Sequence, residues 1–269
     1  MNLKNIASNI ELKNGIWYQK THSQISYPDE GNENCFQIED NSFWFKHRNN
    51  CLLEIIKKFP FTGSFFDIGG GNGFVAQAIE KTGKNTVLVE PGEKGIRNAK
   101  KRNLKNLVCA TLEGAEFKKG SIDAIGVFDV IEHIKEDEQF IKNLHAYLKQ
   151  NGKLYLTVPA YQILWSREDD FAGHFRRYTI KTISQKLKKA GFKMEFSTYI
   201  FSILPLPIFL FRSLPSKLKL YKGHQINEHK EEHSKQNKIL TKIWNWEVKR
   251  LSKGKKIPFG GSCLIVAKK

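Results

Sequence analysis

An apolar run that ends in an acid and turns through four glycines, Ser64-Phe65-Phe66-Asp67-Ile68-Gly69-Gly70-Gly71-Asn72-Gly73-Phe74, constrains this chain more than any other stretch. Phe65 to Ile68 is short, β-favouring and bounded by Gly63 and Gly69, the pattern of a buried parallel strand. Gly69, Gly71 and Gly73 let the backbone turn tightly and approach a ligand with no Cβ in the way. Phe74 to Ile79 then reads as a helix whose first amides face that ligand. Strand, glycine turn and helix in this order predict an α/β domain. Many nucleotide-like ligands are held by such a turn, and Asp67 separates them: a carboxylate two residues before the first glycine repels phosphates and suits a cationic or amine-bearing ligand.

The rest of the chain continues the pattern. Thr86–Glu90 is a second apolar run ending in an acid, and Glu90 at that strand end can accept both hydroxyls of a ribose. Asn106–Ala110, Ile122–Phe128, Lys153–Pro159, Lys193–Ile200 and Ser262–Ala267 read as further strands, with a helix opening at the cap Thr179. Asp129-Val130-Ile131-Glu132-His133 follows the fourth strand directly. If Asp129 begins a helical turn, Asp129, Glu132 and His133 share a face and can orient an acceptor, act as a base or hold a divalent ion. After the fifth strand comes Trp165-Ser166-Arg167-Glu168-Asp169-Asp170-Phe171-Ala172-Gly173-His174-Phe175-Arg176-Arg177-Tyr178, too polar for core and too rich in functional side chains for a spacer.

Three of these stretches carry a resemblance. Asp-x-Gly-x-Gly-x-Gly is similar to motif I of class I S-adenosylmethionine-dependent methyltransferases, D-x-x-E-H to the end of their fourth strand, and W-S-x-x-D-x-x-x-G-H-x-R-R-Y to an uncharacterised bacterial subgroup. The resemblance covers roughly residues 60–195 and the last strand. It implies a Rossmann-like, seven-stranded, mostly parallel sheet with helices on both faces and an inserted cap. It implies S-adenosylmethionine as cofactor, held by Asp67, Gly69, Gly71, Gly73, Glu90, Leu112, Phe128 and Asp129. Leu112 enters as an apolar neighbour of the adenine, because Thr111-Leu112-Glu113 lacks the Asp that many members have there. His174 and His133 are the expected bases, and Arg48, Tyr161, Trp165, Asp170, Arg177 and Tyr178 the expected acceptor contacts. A salt-bridged lid in which Asp170 pairs with an arginine is the competing reading of that loop. Some ubiquinone-pathway O-methyltransferases hold a metal at a similar Glu-x-x-Glu-His stretch, but a divalent metal is not favoured here.

The expected reaction is O-methylation of a small molecule, sugar or lipid-linked saccharide. The alternatives are an RNA or protein methyltransferase and a non-catalytic S-adenosylmethionine-binding protein. A formal charge of +17 invites nucleic acid, yet eight of 44 basic residues are arginine, the better phosphate reader, so nucleic acid is not the expected partner. An anionic membrane surface or substrate suits the charge equally. Four scattered cysteines and an N-terminus without a signal-peptide core point to the cytoplasm.

The expected layout is residues 1–59 as an N-terminal arm and helix, 60–200 as core, 201–255 as inserted cap, linker and helix, and 256–269 as the final core strand. At the junction of core and insert, residues 199–211 are apolar but too short and too rich in proline to span a bilayer. They read as a cap or dimer contact, with a membrane-interface role, supported by Arg212, Lys217, Lys219 and Lys222, as the alternative. Residues 27–32 read as a turn and 223–238 as a mobile linker.

Overall fold

The computed structural model describes residues 3–20, 35–220 and 238–269. The turn expected at 27–32 and nearly all of the linker expected at 223–238 lie outside them. The strands in chain order are β1 (Ile10–Lys13), β2 (Ile16–Gln19), β3 (Ser64–Ile68), β4 (Asn85–Val89), β5 (Asn106–Cys109), β6 (Ile122–Phe128), β7 (Leu148–Pro159), β8 (Lys193–Ile200) and β9 (Ser262–Lys268). They form one sheet in the order β1-β2-β5-β4-β3-β6-β7-β9-β8. From β2 across to β7 neighbouring strands are parallel, and β9 is antiparallel to both β7 and β8.

The helices are α1 (Phe43–Lys58), α2 (Phe74–Glu80), α3 (Glu93–Lys101), α4 (Asp137–Tyr147), α5 (Arg167–Phe171), α6 (Ile180–Lys189), α7 (Pro205–Ile208), α8 (Leu214–Lys217) and α9 (Lys238–Ser252). Strand side chains alternate between faces, and the strands are apolar on both, as a doubly covered sheet requires. Phe65, Tyr155, Leu264 and Val266 pack with α1, α2 and α9. Phe66, Leu154, Leu156, Ile265 and Ala267 pack on the other side with α4 and α6. Ridges of Ile96 and Ala99 from α3 close the first face over Leu88 and Leu107.

Nine strands stand where seven were expected, and the difference lies in the polar N-terminal stretch read as an arm. Asn14 and Gly15 both take positive φ, 50° and 77°, as a tight two-residue hairpin turn demands. The hairpin β1–β2 then adds to the edge of β5, with Trp17 opposite Val108 and Tyr18 opposite Cys109.

Following β8, Phe201 reverses the chain at φ 61°, and α7, a π turn at Phe209–Ser213 and α8 run on as one rod, the cap. Buried Glu247 of α9 fastens the start of this cap. Its carboxylate accepts from the Phe201 amide (2.9 Å), the Ser202 amide (2.6 Å) and the Ser202 hydroxyl (2.5 Å), and it pairs with His47 of α1 at 2.9 Å. Further along, the Ser213 hydroxyl donates to the Leu164 carbonyl at 2.8 Å.

Candidate active site

Parallel strands in register bring their C-terminal ends to one edge. Asp67 lies opposite Leu88 and Gly126, and Ile68 opposite Val89, so the residues that follow β3, β4 and β6 meet there. A cavity of about 1380 Å³ runs along this edge. The glycine turn, Glu90, Leu112, Phe128 and Asp129 line one part of it; His133, His174, Arg177 and the cap residues Pro207, Ile208 and Phe211 line another.

In the first part, Asp67 is fully buried, and among the described residues neither of its oxygens has a hydrogen-bond partner. Burial pushes its carboxyl up to about 7, with Arg48 acting in the opposite direction. A buried acid left without partners is costly, and the site fits a cationic group brought by a ligand. Glu90 is buried too, but occupied: Oε2 accepts from the Gly71 amide at 2.9 Å and Oε1 from the Gly92 amide at 2.7 Å. It thereby fixes the glycine turn while keeping lone pairs for a ligand hydroxyl. Beneath the turn, Asn72 donates to Glu39 (3.2 Å), which is paired with Arg102 (3.0 Å).

Gly73 is not among the lining residues. It caps α2 at φ 75°, and a Cβ there would fall 2.4 Å from Leu104 Cδ1 and 3.0 Å from Ala99 Cβ. Its role is close packing of α2 on its neighbours, whereas Gly69 and Gly71 face the cavity.

Between the two parts, Arg48 Nη1 pairs with Asp129 Oδ2 at 2.6 Å. The guanidinium lies over Trp44, 4.7 Å from the ring centroid, and Trp44 stacks on Phe201 at 5.4 Å. Asp129 takes φ 56° rather than opening a helical turn, and a 3₁₀ turn begins only at Ile131. The expected shared face of Asp129, Glu132 and His133 is therefore not formed. Glu132 and His133 instead meet His174, their donor atoms lying within 4.8 Å of one another. Glu132 is buried, and burial, then the nearby Asp129, hold its carboxyl well above the usual range. Burial, then His174, lower His133 to about 4, so its ring is neutral near pH 7.

His174 is set differently. Its Nδ1 lies 2.8 Å from Asp169 Oδ1, which assigns the proton to Nδ1 and leaves Nε2 as acceptor. Asp169 also receives Arg177 in a two-pronged pair, Nε to Oδ1 at 2.7 Å and Nη2 to Oδ2 at 3.0 Å, and the Ser166 amide at 2.9 Å. Burial alone would push this carboxyl up; the bonds from His174 and Arg177 outweigh it and hold it at about 2.

The arginine-paired acid of this loop is thus Asp169, not Asp170, which is exposed and accepts from Trp165 Nε1 at 3.1 Å. Trp165, Asp170, Tyr161 and Tyr178 do not line the cavity. Tyr161 stacks on Tyr199 at 5.1 Å. Tyr178 is buried and donates to Asp137 Oδ2 at 2.8 Å; burial and that carboxylate raise its pKa strongly. Arg176 also holds Asp137, at 2.8 Å. Asp169, absent from the expected contact set, and Glu132 are buried acids beside the two histidines, Asp169 at 2.8 Å from His174 and Glu132 within 4.8 Å of both. The signal for Asp169 was the Ser166-x-x-Asp169 capping box that opens α5.

A family model described as a methyltransferase domain matches residues 42–195. Among curated proteins, a bifunctional biotin-biosynthesis protein from Cellvibrio japonicus is 25% identical over 170 residues, 60% of this chain and 33% of that protein. A ubiquinone biosynthesis O-methyltransferase from Rickettsia typhi is 31% identical over 127 residues, 42% of this chain and 51% of that protein. The chain thus spans about half or less of the length of these curated relatives. Among solved structures, phosphoethanolamine N-methyltransferase 2 from Haemonchus contortus in complex with S-adenosyl-L-methionine superposes with a TM-score of 0.58 at 20% identity, covering 94% of this chain and 61% of that one.

Proposed function

The chain belongs to the methyltransferase-domain family, and from that premise we propose that it transfers the methyl group of S-adenosylmethionine to a hydroxyl of a small-molecule acceptor, a sugar or lipid-linked saccharide being the favoured class. The observation that carries the donor half is Asp67, a buried carboxylate without a partner at the end of a glycine turn. It takes the donor's ammonium; Glu90 takes the ribose hydroxyls, and Leu112 supplies an apolar wall. When bound, S-adenosylmethionine supplies a methyl carbon already activated by the adjacent sulfonium charge. The protein's part is alignment and removal of the acceptor's proton.

His174 Nε2 would accept the acceptor hydroxyl's proton as its oxygen takes the methyl group, the methyl–sulfur bond breaking to leave S-adenosylhomocysteine, and the Asp169 carboxylate would stabilise the imidazolium formed. Neutral His133 and the buried Glu132 beside it orient the oxygen. The Rickettsia typhi relative, named for O-methylation, supports oxygen as the nucleophile. A second reading is carried by the three donors within 4.8 Å: Glu132, His133 and His174 would hold a divalent cation that lowers the acceptor's pKa. Insensitivity of the rate to a chelator is expected, and loss of rate on chelation with recovery on adding magnesium would favour the cation.

Calorimetric titration with S-adenosylmethionine tests the donor site, and labelled donor incubated with cell-extract fractions separates lipid, glycan, RNA and protein products. Label confined to RNA or protein would overturn the acceptor class; donor binding without transfer to any fraction would make the chain a binder. With an acceptor in hand, His174→Ala should lower kcat by about 10²–10⁴-fold while leaving donor affinity within about threefold. His133→Ala should cost less, because burial and the neighbouring His174 lower that ring to about 4, which makes it the weaker proton acceptor. A His174→Ala enzyme with unchanged kcat would refute the assignment.

A further inference from the structure

The cap carries a ridge that the catalytic reading does not use. Leu206, Leu210, Leu214 and Leu218 recur every fourth residue along α7, the π turn and α8, so they share one face, with Phe211 beside them. Leu206 is 65% exposed, Phe211 72% and Leu218 58%. Water-facing surfaces seldom leave such a contiguous row of large apolar side chains bare. The ridge is not a loose segment turned outward, since Leu204 packs on the core and Ser213 is buried against the Leu164 carbonyl. Lys217 and Lys219 are exposed at its far end, and Arg212 stands on the cavity side. Pro207, Ile208 and Phe211 line the cavity, so the ridge borders its mouth.

We propose that this ridge is a docking surface for an anionic bilayer, seated at the boundary of headgroups and acyl chains so that the cavity opens onto the membrane interface. The inference deepens the methyltransferase reading and rests on it in one respect: the acceptor is then an amphiphile whose hydroxyl-bearing head enters the cavity while its apolar tail stays in the lipid.

Charge selects this occupant. A second copy packed on this ridge would bring a second Arg212, Lys217 and Lys219 to the same interface, on a chain already carrying +17. Anionic headgroups complement the same residues. Residues 221–237 hold two large apolar or aromatic side chains, Tyr221 and Ile226, too few to cover five. Among the described residues no helix is long and apolar enough to cross a membrane, so the contact is made from one side.

The test mixes the full chain with vesicles of phosphatidylcholine alone or of phosphatidylcholine and phosphatidylglycerol in equal parts, and reads binding by sedimentation. Binding to the anionic vesicles is expected, falling as salt shortens the Debye length, and about fivefold weaker for Lys219→Gln, which removes one positive charge. The variant Leu206→Ser/Leu210→Ser/Leu218→Ser, none of whose positions lines the cavity, should bind about tenfold or more weakly with its melting transition and donor affinity kept. Absence of binding by the unaltered chain, binding that survives the triple variant, or a vesicle-independent dimer dissolved by that variant would overturn the proposal. Donor affinity is read on the same samples, so failure of S-adenosylmethionine to bind would defeat the methyltransferase reading separately from the vesicle result.

Discussion

Asp67→Asn should lower the affinity for S-adenosylmethionine by about 2–5 kcal/mol, roughly 30- to 5,000-fold, the usual cost of removing one partner from a buried, hydrogen-bonded charge pair. The same substitution should raise the melting temperature of the ligand-free chain at pH 8. Both follow from one geometry: a carboxyl that is buried, unpartnered and pushed up to about 7. The folded state holds this proton more tightly than the unfolded chain. The group's contribution to stability is therefore complete below the ordinary carboxyl range near 3.8 and is lost as pH rises through about 7, a change of about 4 kcal/mol by linkage. Asparagine removes that loss. Donor binding to the unaltered chain should also release a proton near pH 6, read as buffer-dependent enthalpy, and weaken by about tenfold per pH unit below 7. Unchanged donor affinity in Asp67→Asn would remove the central support of the proposed function.

The largest stability loss is expected at Asp169. Asp169→Ala leaves the half-buried guanidinium of Arg177 and the ring of His174 without their carboxylate, and breaking a buried pair in this way costs about 3–5 kcal/mol. Its neighbour is the control: Asp170→Ala, exposed and bonded to one indole N–H, should cost below about 1 kcal/mol. Because Asp169 is held at about 2, its stabilisation is present above pH 3.8 and lost as pH falls toward 2, about 2 kcal/mol in all. Urea melts at pH 7 and pH 3 check both statements. Equal losses for the two aspartates would mean that the Asp169 network is not what holds this loop.

Legibility in the sequence followed the range of the forces involved. Strand order along β3 to β9 was readable because each strand is an apolar run closed by turn residues, and the acids Asp67 and Glu90 sit where those runs end. Asn14-Gly15 between Ile10-Glu11-Leu12 and Ile16-Trp17 was an equally local hairpin signal, masked by the polar composition around it. The loop after β7 was less readable, because adjacent acids differ only in which way they face. Asp169 turns inward because it closes the capping box with Ser166, and its neighbour consequently faces water. Tyr178 misleads for a related reason. A tyrosine in a polar loop suggests a pocket wall, but its hydroxyl is matched by Asp137, 41 residues earlier, a pairing that no local pattern announces.

The placement of β9 between β7 and β8 sets an order of events in folding. Among the described strands β8 pairs with β9 and no other, and about sixty residues separate the two in the chain. A ribosome therefore delivers the glycine turn, Asp67 and Glu90 into a sheet that can already close through β7, while β8 and the whole cap wait for their partner. Loop closure over that distance adds an entropic delay. Once β9 inserts and β8 pairs with it, Phe201 and Ser202, which follow β8, are held by Glu247 at the start of the cap. The part of the cavity around Asp67 and Glu90 can thus form before the cap is seated. Assembly of the fold is a sequence in which the pocket at the glycine turn comes first and the cap at the cavity's mouth is the last part to lock.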